Sequence, residues 1–143
     1  WSIFDIRATL PQSLQLERFR FEAGKFELMF SAGRDHIYLH RWAPAAALLA
    51  GGDLVAFAGT IPEFAKGVPQ PLAVNNCEAL QWGVMPGNKW RQKLSRFKIA
   101  PSYFFFRLWY LNQQNRILGV RAEGKYPFDI QLVSQICEHY ESL

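Results

Sequence analysis

The stretch YFFFRLWYLN, residues 103–112, sets eight apolar or aromatic side chains and one arginine into ten positions. No other feature restricts the fold as tightly, because a strand of this composition needs cover on both of its faces. Extended, it turns Phe104, Phe106, Leu108 and Tyr110 one way and Tyr103, Phe105, Arg107, Trp109 and Leu111 the other. The first set reads as a core face. The second is too apolar for an ordinary wet face and yet carries an arginine, so a helix, a partner or a ligand must cover it. NQQN then turns the chain, and RILGVRAEG returns as the antiparallel mate.

Upstream, Phe26, Leu28 and Phe30 alternate with Lys25, Glu27 and Met29, the period of a strand with one buried face. Phe19 and Phe21 alternate with Arg18, Arg20 and Glu22 before it, and Ala23-Gly24 is a turn of hairpin length. With HIYLHRW after a second turn at Gly33, the pattern predicts a three-strand meander from about Leu16 to Trp42. Pro44 and the Ala/Leu run predict a helix that Gly51-Gly52 stops, with Asp53 capping a second short turn. Residues 68–87 read as a long connection that holds one short strand at EALQWGV. Ile130, Val133, Ile136, Cys137 and Tyr140 recur at three- and four-residue steps, a final amphipathic helix started by Pro127 and Asp129. These elements predict an α+β fold, an antiparallel sheet packed against helices, with a compact barrel closed by the final helix as the alternative.

The length of 143 residues suits one domain, residues 1–143, and the high aromatic content argues against disorder. A chain that begins at Trp1 is expected to be trimmed or part of a longer protein. No apolar run reaches the roughly 20 residues of a membrane-spanning helix, since Arg107 and Asn112 interrupt one stretch and Gly51, Gly52 and Asp53 another. Cys77 and Cys137 form no CxxC or Cys/His pattern, so neither a disulfide framework nor a zinc site is expected. A reducing, cytoplasmic compartment suits that usage, with Cys137 as a buried, inert thiol.

His36, Tyr38, His40 and Trp42 share one face of the third meander strand. If meander and hairpin lie in one sheet with their greasier sides inward, the far side displays these four together with Arg107 and Trp109, the residue types that anchor binding surfaces. The plainer alternative is that the helix from Pro44 covers that side, or that long amphipathic side chains shield it. KWRQKLSRFK, residues 89–98, supplies a second candidate in Lys89, Arg91, Lys93, Arg96 and Lys98, with Trp90 and Phe97 interleaved. The chain's other eleven bases are outnumbered by its twelve acids, so the positive balance resides in this run. Such a segment can hold phosphates while its aromatics stack on bases, or it can be a solvated stretch guarded by charge. His36 and His40 stand about 13 Å apart on a strand, too far to share a metal. No nucleophile elbow, phosphate-cradling loop, metal-ligand helix or catalytic carboxylate pair is legible, so no catalytic residue, metal or cofactor is expected.

FDIRATLP at residues 4–11, and NRILGVRAEG leading into DIQLVSQICEHYESL, are similar to the opening strand and the final strand-to-helix passage of the PsbP-like family. The order of elements resembles that family over most of the chain, while the basic middle departs from it. The resemblance implies an α+β sandwich serving as an accessory or binding domain without chemistry of its own. The expectation is a non-catalytic binding or assembly domain that uses the aromatic and cationic sheet face to meet a protein partner or itself. Nucleic-acid binding through residues 89–98 is the alternative.

Overall fold

The computed structural model describes residues 2–64, 68–74, 76–83, 103–125 and 129–143. In chain order these form β1 (Ser2–Ile3), β2 (Ile6–Ala8), β3 (Gln15–Glu22), β4 (Lys25–Ala32), β5 (Asp35–Trp42), α1 (Ala45–Leu49) and α2 (Leu54–Gly59). A 3₁₀ turn (Pro62–Phe64) follows, then β6 (Gln70–Val74), β7 (Cys77–Gly83), β8 (Tyr103–Leu111), β9 (Arg116–Gly124), α3 (Ile130–Glu138) and β10 (Tyr140–Ser142). Among the described residues the strands make a three-stranded sheet, β1-β2-β10, and a seven-stranded sheet, β3-β4-β5-β9-β8-β7-β6. Every pairing is antiparallel, which makes the fold α+β.

Local chemistry explains the meander and the hairpin. Two-residue loops twist correctly only with positive φ, and Gly24 (φ +78°) and Gly33 (φ +66°) supply it. Asn115 takes the left-handed conformation at the end of the β8–β9 connection, where its short polar side chain accepts a hydrogen bond from the Ala46 amide. α1 ends where Ala50 and Gly51 turn left-handed, and the Asp53 carboxylate caps α2 by accepting from the Ala56 amide at 2.8 Å. Asp129 caps α3 in the same way, through the amides of Gln131 and Leu132.

The large sheet is covered on both sides by its own chain. On one side Phe26, Leu28, Leu39, Phe105, Trp109 and Val120 meet Val133, Ile136 and Cys137 of α3, with Ile6, Ala8 and Tyr140 of the small sheet. On the other, Trp42, Leu80, Trp82, Phe106, Leu108 and Ile117 pack on Leu54, Phe57 and Ala58 of α2 and on Phe64. Burying each such side chain contributes roughly 1.5–3 kcal/mol. The two greasy faces of residues 103–111 are therefore both satisfied internally.

Three expectations need correction. β6 lies within what reads as a connection, held against β7 from Gln70 opposite Gln81 to Val74 opposite Cys77. Tyr140 leaves the helical repeat and opens β10, which pairs with β2. Among the described residues the sheet is open, with β3 and β6 at its edges and not paired to each other, which is not the barrel expected as the alternative.

Candidate functional site

Register decides what the aromatic strand face contains. His40 lies opposite Gly119, which lies opposite Leu108; Tyr38 lies opposite Arg121, which lies opposite Phe106. Leu39, Val120 and Arg107 form a different row, as do Arg41, Leu118 and Trp109. Directly opposed residues share a face. His36, Tyr38, His40 and Trp42 thus sit on one side of the sheet and Arg107 and Trp109 on the other, which corrects the expected common surface.

Burial removes most of what remains of it. Trp109 is 4% exposed and meets the Tyr140 ring edge-on at 5.8 Å. Arg107 donates from Nε and Nη2 to Gln81 Oε1 at 2.9 and 2.6 Å and lies beside Cys137. Burial pushes the Cys137 thiol up to about 12, with Arg107 opposing, which leaves it a neutral, unreactive group. Trp42 is buried under α2, with Phe57 edge-on at 5.5 Å, so the helices that follow Pro44 do cover that end of the face.

His40 is 2% exposed and stacks between Tyr38 and Trp42, at 6.2 and 5.1 Å. Its Nδ1 is 3.2 Å from Glu27 Oε2, but neither ring nitrogen makes a hydrogen bond to a described residue. Burial first, then the charges of Arg121 and Lys25, lower its pKa well below the usual 6.5, so the ring is neutral. The Arg121 guanidinium lies 3.7 Å over the Tyr38 ring and donates to Glu123 at 3.2 Å. Only His36 and Tyr38, half-buried, keep contact with solvent on this row. The charges here are spent on one another. Among the described residues no group of three or more His, Cys, Asp or Glu is placed to hold a metal ion. The run containing Lys89, Arg91, Lys93, Arg96 and Lys98 lies outside the described residues.

The surface that stays open is elsewhere. Phe4, Phe19 and Phe21 are 58%, 63% and 47% exposed, far above any other phenylalanine in the core. Their rings form one cluster: Phe4 to Phe21 at 4.8 Å, Phe19 to Phe21 at 5.5 Å, and Phe21 to the buried Phe26 at 4.7 Å. Phe19 and Phe21 belong to β3, the outer strand of the large sheet. Glu22 and Lys25 close the two-residue turn, so Glu22, Arg20 and Arg18 direct their backbone groups toward β4. Phe19 and Phe21 consequently aim theirs outward, at an edge that no described strand pairs.

Phe4 reaches this cluster through a strained turn. It and Asp5 link β1 to β2 with φ of +45° and +60°. Asp5 suits that conformation, and it is anchored by Arg116 at 2.6 Å and by the Leu143 amide, which donates to its carbonyl at 2.7 Å. A phenylalanine there costs roughly 1–2 kcal/mol relative to glycine. The alternation of Phe19 and Phe21 is visible in the sequence, but their place on an edge is not. The only sequence signal for Phe4 is a bulky residue where a tight turn prefers Gly, Asn or Asp.

No protein-family model, curated protein or solved structure matches the chain.

Proposed function

We propose that this chain is a non-catalytic binding or assembly domain that engages a protein through the phenylalanine edge of Phe4, Phe19 and Phe21. One observation carries the reading: three aromatic rings in mutual contact remain about half exposed beside a strand whose outer hydrogen-bonding edge has no partner among the described strands. At the usual size of a phenylalanine side chain they leave roughly 300 Å² of contiguous apolar surface, the scale at which such patches mark interaction sites. The strain held at Phe4 supports it, because backbone strain on a bulky residue persists where presentation of the side chain matters. A cytoplasmic setting goes with two cysteines that lack a disulfide or zinc pattern, and no helix among the described residues is long and apolar enough to cross a membrane.

Nucleic-acid binding through residues 89–98 is the second reading, favoured by the concentration of positive charge and interleaved Trp90 and Phe97 there. Affinity capture from native extract, with and without nuclease, separates the two. The protein-binding reading expects nuclease-resistant capture that the Phe19→Ser/Phe21→Ser variant loses. Capture abolished by nuclease and steeply weakened by salt supports the second reading instead.

A further inference from the structure

We infer that the occupant of the phenylalanine edge is a second copy of this chain, paired antiparallel through β3 about a two-fold axis; this rests on the reading of that edge as a binding surface. Among the described residues β3 and β6 are the two edges of the large sheet, and they differ in protection. β6 carries Pro71, which has no backbone donor and blocks strand addition. β3 contains neither proline nor lysine, and its one irregularity lies between Leu16 and Arg18, which leaves residues 18–22 regular and open.

The sequence of that run is complementary to itself. Two glutamates and two arginines in β3 balance, so the strand has no net charge with which to favour an acidic or a basic peptide. Paired antiparallel with Phe19 facing Phe21 of the second copy, the whole of residues 18–22 is matched. Each Arg18 then faces Glu22 of the second copy, and four phenylalanines gather on one side of the joined sheet. Arg20 meets its counterpart on the axis, where each is already bridged to Glu22 of its own chain. Phe19 and Phe21 present the outward backbone groups, and these residues face each other in this register, so the new ladder forms through them. Five paired residues and two aromatic clusters make an interface at the small end of specific ones, which predicts a weak, concentration-dependent dimer.

Sedimentation velocity of the purified chain from low to high micromolar concentration tests this. The expected result is a monomer–dimer equilibrium that Phe19→Ser abolishes and Arg18→Glu weakens on the order of tenfold. The exchange Arg18→Glu/Glu22→Arg should recover part of the loss, with the unfolding midpoint unchanged throughout. A monomer at every concentration, a dimer indifferent to Phe19, or an exchange variant no better than Arg18→Glu overturns the proposal. A monomer whose partner capture still depends on Phe19 removes self-pairing and leaves the binding reading standing.

Discussion

Phe4 meets Phe21 edge to face, ring centroids 4.8 Å apart and planes at 71°, on a side of the protein where each ring stays about half exposed. The contact joins a turn of the small sheet to the edge strand of the large one. Phe4 also approaches the buried Phe26 at 5.9 Å, so the cluster is rooted in the core while its outer rings face solvent. Among the described residues every other phenylalanine, tyrosine and tryptophan is buried or half-buried, and this group is exposed.

The strain at Phe4 is separable from its contacts. Phe4→Ala removes the ring and keeps a side chain at φ +45°, whereas Phe4→Gly removes both. The glycine variant should be the more stable by about 1 kcal/mol, measured as the difference in denaturant midpoints at a common slope. Both should associate less than the parent chain.

Trp109→Ala should act on stability. Buried against Tyr140 within the layer under α3, the indole leaves a cavity when truncated, and a cost of about 3–5 kcal/mol is expected. Thermal unfolding followed by near-ultraviolet circular dichroism checks this.

Gly119 lies opposite His40 and Leu108, and a Cβ there would stand 2.6 Å from Leu108 Cδ2 and 3.0 Å from Trp42 Cζ3. Gly119→Ala should therefore destabilise by about 1–3 kcal/mol through overpacking, read from equilibrium unfolding.

His40 should make the fold sensitive to mild acid. Burial and the charges of Arg121 and Lys25 hold its folded pKa well below 6.5, whereas the unfolded chain takes up a proton near 6.5. Stability from this group is full above pH 6.5 and falls as pH drops toward the folded value, by at most about 1.4 kcal/mol per pH unit. His40→Phe keeps the stack between Tyr38 and Trp42 and should flatten that fall; urea titrations at pH 7 and pH 5 compare the two chains.

The sequence displays strands better than it displays their neighbours. Phe26, Leu28 and Phe30 announce a strand because one face is buried and the other is not, and Gly24 and Gly33 mark its turns. Which side of β5 faces which side of β8 depends on the register through β9, and a slip of one residue inverts every face. That is why His40 and Trp109 read as neighbours in the sequence and lie on opposite sides of the sheet. β6 escapes notice because it is five residues long and carries Pro71, the mark of an edge. Tyr140 fits the helical spacing of Ile136 and Cys137, yet its hydroxyl donates to the His40 carbonyl at 2.9 Å from a strand. Phe19 and Phe21 keep the alternation of a buried face, and only the sheet order shows that no described strand lies beyond them.

Amide hydrogen exchange at two protein concentrations tests the account most directly. The amides of Phe19 and Phe21 should exchange more slowly at the higher concentration, while those of β6, the other edge, stay unchanged. Exchange at Phe19 and Phe21 that is fast and independent of concentration would contradict pairing through this edge.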